Sequence, residues 1–237
     1  NFSGLPSGTV FTFGGVAPAD ATHLPNSFTT NDQLTVNANV VSGKTVYGDG
    51  TVIVTDPIDG ENFSAFSAAE SASLVLNDGG VAPVDPTHLP NSFTTNGQLT
   101  VNANVVSEKT VYGAGTVIVT DPIDGENFSA FSAADSASLV LNGGGVAPVN
   151  PTHLPNSFTM SADLSMEAAV ATGKTVTVTT TSAAGGSITP DGVLTVSTAI
   201  RASDNFSGLP SGTVFTFGGV APADATHLPN SFTTNDQ

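Results

Sequence analysis

The residues with most capacity for chemistry are acidic and come in copies. Asp-Pro-Ile-Asp-Gly-Glu-Asn occupies residues 56–62 and again 121–127, grouping Asp56, Asp59 and Glu61, then Asp121, Asp124 and Glu126. Clustered carboxylates suit Ca²⁺, a hard ion that takes oxygen ligands, and these six residues are the candidate calcium ligands. Their spacing is not that of an EF-hand loop. The alternative is a solvated acidic turn, in which Pro presets φ and Gly permits the reversal. A diverged third copy keeps only scattered Asp191 and Asp204.

Asn-Phe-Ser recurs at Asn62, Asn127 and Asn205, and again at Asn1. It fits the N-glycosylation acceptor pattern, which makes the first three candidate glycan sites. An Asn that closes a turn ahead of a core Phe accounts for the same recurrence. His23, His88, His153 and His227 each sit in Thr-His-Leu-Pro-Asn-Ser-Phe. One histidine per copy does not gather into a metal site. Asp20, His23 and Ser27 have the residue types of a hydrolase triad, but triads assemble from distant segments and need an oxyanion hole. The bland reading is a rigid corner, and no catalytic residue is assigned. Gly14-Gly15, Gly79-Gly80 and Gly143 to Gly145 lack a following helix or a phosphate-binding lysine, so they read as turns.

These motifs belong to a nested repeat. Val-Ala-Pro opens at Val16, Val81, Val146 and Val220, with two equal steps and a longer third, and the passage 1–33 returns letter for letter as 205–237. The chain therefore divides into 1–15, the end of a preceding repeat; 16–80, repeat 1; 81–145, repeat 2; 146–219, a diverged repeat 3; and 220–237, the start of the next. Repeats 1 and 2 differ at Ala19/Val84, Ala21/Pro86, Asp32/Gly97, Gly43/Glu108, Asp49/Ala114, Glu70/Asp135 and Asp78/Gly143. Such positions are expected at the surface, since four of the seven add or remove a carboxylate.

Leu99, Val101, Ala103 and Val105 alternate with polar residues, and Leu164, Met166, Ala168 and Val170 keep that period of two, so the segment reads as strand. Residues 161–171 and Phe63 to Leu76 read as extended or irregular rather than helical. Strand cores are expected at Leu34, Val52, Leu74, Leu99, Val117, Leu139, Leu164, Leu194 and Val214. The longer gap between Leu164 and Leu194, with Val176, Val178 and a Gly185-Gly186 turn, predicts a bulge or an added strand. A spacing of roughly 20 residues fits an all-β, β-solenoid-like stack with three turns of chain per sub-repeat. The competing architecture is a string of small β-sandwich domains, one per sub-repeat, although about 65 residues is short for two covered sheets. In a stack, Ile53, Val75, Ile118 and Val140 point outward.

Composition bounds the partners. Four Lys and Arg face twenty Asp and Glu, a formal net charge of -16, which excludes a nucleic-acid backbone and disfavours anionic membranes. No apolar stretch long enough to insert in a membrane occurs, and no cysteine offers a disulfide or thiolate site. Runs such as GQLTVNANVV and GAGTVIVTD resemble the arrays of giant bacterial or archaeal surface proteins, including filamentous-haemagglutinin-like adhesins and other extracellular fibres. That resemblance implies an extracellular or cell-surface location and a structural, non-catalytic role, with self-association into a fibre or stacking on neighbouring repeats of the same chain. A stalk or ligand-binding module of an adhesin is the second expectation. Calcium is the one cofactor the residues accommodate.

Overall fold

The computed structural model describes residues 1–6, 9–11, 15–17, 19–82, 84–147, 149–182, 188–216 and 220–234. The Gly185-Gly186 turn and Gly14 lie outside the described residues. The chain is all-β in its regular structure, with only short helical turns between strands. It divides into two compact units, 1–117 with 135–137, and 118–134 with 138–237.

In the first unit the sequence pattern sets the strands directly. Gln33–Val36 and Thr51–Val54 show the rule: Val, Leu or Ile alternates along a short run, one set of side chains buried and the other exposed or half-exposed. Thr9–Phe11, Ser27–Thr30 and Thr45–Tyr47 form one sheet. Gly15–Val16, Gln33–Val36, Thr51–Val54, Ser73–Leu76, Ser92–Thr95 and Thr110–Tyr112 form a second, and Ile58–Asp59, Gly79–Val81 and Gln98–Val101 lie together in a third. All these pairings are parallel. Thr35 pairs with Ile53, Ile53 with Val75, Val75 with Thr94 and Thr94 with Tyr112. Successive turns of chain thus lie one strand apart. Leu34, Val52 and Leu74 are buried in this register, while Thr35, Ile53 and Val75 are half-exposed.

The second unit repeats the arrangement. Ser138–Leu141, Ser157–Met160 and Thr175–Val178 share a parallel sheet. Ile123–Asp124, Gly145–Val146, Leu164–Met166, Leu194–Val196, Thr213–Phe215 and Phe232–Thr234 share another. The added strand expected in repeat 3 is present as an antiparallel pair, Thr180–Ser182 with Ile188–Pro190. Among the described residues, antiparallel pairing is otherwise limited to the bridges Tyr47 to Ser71 and Tyr112 to Ser136. A sandwich of immunoglobulin type is built from antiparallel sheets, so the pairing departs from that alternative.

All nine expected strand cores fall in strands, Val117 within Thr116–Val119. Three expectations need correction. The alternation ends at Val101: Ala103–Val106 is one turn of α-helix, as are Ala38–Val41 and Ala168–Ala171. Val105 and Val106 are both buried, which a strand with one face inward does not allow. Secondly, Gly79 and Gly80 are paired strand residues, opposite Gln98 and Leu99, rather than a free turn. A Cβ at Gly80 would collide with the Ile58 backbone, so only glycine permits this approach. Thirdly, Gln33–Val36 and its counterpart Gln98–Val101 lie in different sheets of the first unit, where three equal turns per sub-repeat predict one shared sheet.

The seven differing pairs avoid the core, and none of the fourteen residues is buried. No helix among the described residues is long and apolar enough to cross a membrane.

Candidate functional site

The histidine and Asn-Phe-Ser motifs lie on the helical turns between sheets. The first and third sub-repeats each build one such region from an Asn-Phe-Ser turn, a 3-10 turn holding the histidine, a four-residue α-helix and a lysine, and the second carries the same elements.

The second copy shows the corner. Asp85 caps the 3-10 turn Pro86–His88: its Oδ1 accepts from the Thr87 N–H at 2.9 Å and from the Thr87 hydroxyl at 2.7 Å. Those two bonds stabilise the charged carboxylate and hold its pKa below the ordinary value of 3.8, the hydroxyl contributing most. Asp20 and Asp224 carry the same pair of bonds and the same downward shift. In repeat 3 Asn150 takes the position and accepts from Thr152 in the same way. His88 Nε2 lies 3.6 Å from Asp85 Oδ2, and His23 Nε2 lies 3.4 Å from Asp20 Oδ2. The Nδ1 atoms of His88, His153 and His227 are buried without a hydrogen-bond partner. Asp20 and His23 therefore form a capped corner, and Ser27 continues into the strand Ser27–Thr30.

The Asn-Phe-Ser motif is an Asx turn. Asn62 Oδ1 accepts from the Ser64 N–H at 2.9 Å, Asn127 Oδ1 from Ser129 at 3.0 Å, and Asn205 Oδ1 from Ser207 at 3.0 Å. The turn directs Phe63, Phe128 and Phe206 inward, where all three are fully buried. Their backbone N–H groups donate to the carbonyls of His88, His153 and His227. The Phe of one motif and the His of the next are thus tied by main chain, which is a reason for both motifs to recur together.

The acidic motif separates in space. Asp56 Oδ1 accepts from the Ala38 N–H at 2.6 Å and so supplies the N-terminal cap of Ala38–Val41 from the next turn of chain. In repeat 3 the Thr198 hydroxyl oxygen does the same for Ala168 at 2.8 Å. Glu61 folds back so that its Oε2 accepts from the Asp59 N–H at 2.5 Å, closing the reversal at Gly60, whose φ is +79°. Glu126 closes the Asp124 to Glu126 turn in the same manner, and Asp121 is the repeat 2 counterpart of Asp56. Asp59 instead lines an open groove of about 390 Å³ with Gly60, Val81, Ala82, Val84, Asp85 and His88. Among the described residues, no group of three or more His, Cys, Asp or Glu side chains is placed to hold a metal ion. Asp204 is buried, and its Oδ2 accepts from the Arg201 N–H at 2.8 Å. Asp191 takes hydrogen bonds from the Thr179 and Thr181 hydroxyls, which depress its pKa.

Sequence reasoning missed the lysines. Lys44, Lys109 and Lys174 are buried, and each donates from Nζ to the carbonyl of the leucine in Thr-His-Leu-Pro, one turn of chain earlier: Leu24 at 3.2 Å, Leu89 at 3.0 Å and Leu154 at 2.8 Å. Lys174 also reaches the Pro151 carbonyl at 2.9 Å. Burial lowers the pKa of Lys109 and Lys174, because the ammonium gives up water for carbonyl dipoles. The signal was available: three of the four cations recur at one and the same place in successive sub-repeats.

What this arrangement does chemically is fix the shape of single turns and tie each to its neighbour. Caps, Asx turns and lysines satisfy backbone groups that the short sheets leave open at their ends. Comparison with protein-family models, with curated proteins and with solved structures finds no match.

Proposed function

We propose that the chain is a structural repeat segment of an extracellular filament or cell-surface fibre, wound as a β-solenoid and without a catalytic role. The observation that carries this reading is the behaviour of the passage shared by the two ends. In the first unit Thr9 pairs with Phe28, Val10 with Thr29 and Phe11 with Thr30. In the second, Thr213 pairs with Phe232, Val214 with Thr233 and Phe215 with Thr234. The same residues adopt the same parallel register in two different surroundings, as a segment must if it is to be laid down repeatedly along one array.

Two further features support the reading. Asp56, Thr198 and the three lysines bond across adjacent turns, the Asp, Asn and Glu caps fix the shape of single turns, and the sequence differences between repeats 1 and 2 all avoid buried positions. Such an array gains burial and hydrogen bonds only by stacking, so its natural partners are further copies of itself. Calcium at Asp56, Asp59, Glu61 and their copies, and glycans at Asn62, Asn127 and Asn205, would be additions to this framework rather than its basis.

Fibre diffraction or a cryo-EM power spectrum tests the proposal. A strong meridional reflection at about 4.8 Å is expected from strands stacked along the axis. Its absence, with a domain repeat of roughly 40 to 60 Å instead, overturns it.

A further inference from the structure

Residues at the same place in repeats 1 and 2 are equivalent in sequence terms, yet they do not share a sheet. Thr29 lies in the sheet of Thr9–Phe11 and Thr45–Tyr47. Its counterpart Thr94 lies in the row that runs through Thr35, Ile53 and Val75. Thr35 in turn has its counterpart in Thr100, which pairs with Val81 in the third sheet of the first unit. Each residue has moved one sheet onward in the direction of the chain, since Gln33–Val36 directly follows Ser27–Thr30.

The second unit makes the same move independently. Thr159 pairs with Val140 and Thr177. Its counterpart Thr233 belongs to the row of Ser165, Thr195 and Val214, the sheet of the strand that follows Thr159. Repeat 3 is longer than its neighbours and still makes the step. The antiparallel pair Thr180–Ser182 and Ile188–Pro190 takes up chain outside the stack. Leu194–Val196 is then laid on Leu164–Met166 just as Thr51–Val54 is laid on Gln33–Val36.

A single turn in the first unit visits three sheets in order, at Thr45–Tyr47, Thr51–Val54 and Ile58–Asp59. We infer that each sub-repeat is a stepping unit, worth a whole number of turns plus one sheet, so that equivalent residues of successive sub-repeats within a unit face different sides. The surface consequence concerns any partner that runs along one side, a second copy of the array above all. Within the first unit such a partner does not meet the Asp20–His23 and Asp85–His88 corners on one and the same side, because the strands that follow them, Ser27–Thr30 and Ser92–Thr95, belong to different sheets. The inference rests on the solenoid reading above.

The chain has no cysteine, so spin labels can be placed in pairs in the full chain. The pair Thr35→Cys with Ile53→Cys marks adjacent strands and calibrates the measurement. Thr35→Cys with Thr94→Cys spans three strand spacings, about 14 Å, and should give strong dipolar broadening. Thr29→Cys with Thr94→Cys should give less. Ser165→Cys with Thr233→Cys against Thr159→Cys with Thr233→Cys repeats the comparison in the second unit, so that one poorly folding variant does not decide the matter. If the 29/94 and 159/233 pairs prove the closer ones, sub-repeats are whole numbers of turns; the stepping is then wrong and the solenoid reading stands. If the 35/53 pair is itself far apart, the solenoid reading fails and the stepping with it.

Discussion

Glu108 has a φ of +63°, in the left-handed region, where its counterparts Gly43 and Gly173 have +69° and +73°. A side chain there costs about 1 kcal/mol relative to glycine, and a Cβ at Gly43 meets no neighbour, so the cost is backbone strain rather than collision. Glu108→Gly is expected to raise stability by about 0.5 to 1 kcal/mol, read as a higher urea midpoint with an unchanged slope. At Asp85 the relevant quantity is protons. Its pKa is depressed by Thr87, so its contribution is complete above the unfolded value near 3.8 and is lost as pH falls through the lower folded value. Asp85→Asn imitates Asn150 and keeps the cap at every pH. The fall of melting temperature below pH 3.8 should therefore be shallower in the variant than in the parent. Such residue roles were half legible. The corner around His88 could be recognised from Leu-Pro and Asn-Ser, but the lysine bond to Leu89 joins residues a whole turn of chain apart, and one sequence without its coordinates does not reveal that pairing.

At the scale of elements, alternation of Leu, Val and Thr located the strands because one buried face dictates a period of two. It failed at Ala103–Val106 because Leu99, Val101, Ala103 and Val105 fit that period by composition. The adjacent pair Val105-Val106, matched by Val40-Val41, is the mark of a helical turn that the alternation conceals. The helix is held by a cap from the neighbouring turn, and this gives the acidic motif a test. Asp56→Ala should cost about 1 kcal/mol, while Asp56→Thr, copying Thr198, should be nearly neutral. Thermal melts of parent and Asp56→Thr with and without a chelator complete the comparison. Near-coincident curves are expected; a loss of tens of degrees in the parent alone would establish a structural calcium ion at Asp56 and its neighbours.

For the whole molecule, the nested repeat could be read from the letters, but the number of turns within it could not. A spacing of roughly 20 residues rounds to three turns per sub-repeat. Only the register exposes the extra sheet. Charge also takes a different form in three dimensions. With Lys44, Lys109 and Lys174 committed to backbone carbonyls, Arg201 is the only exposed Lys or Arg side chain, set against twenty carboxylates. Copies should repel at low ionic strength and associate more readily as salt rises, since screening shortens from about 30 Å at 0.01 M to about 8 Å at 0.15 M. Sedimentation velocity across that range checks this, and association that weakens with salt would point to ion pairing between copies instead. The inward lysines have a last consequence. An approaching solute encounters a polyanion more uniform than a net charge of -16 conveys, wrapped in a mobile cloud of small cations. The medium in which the protein works, through its supply of such cations, then sets how closely neighbouring chains lie.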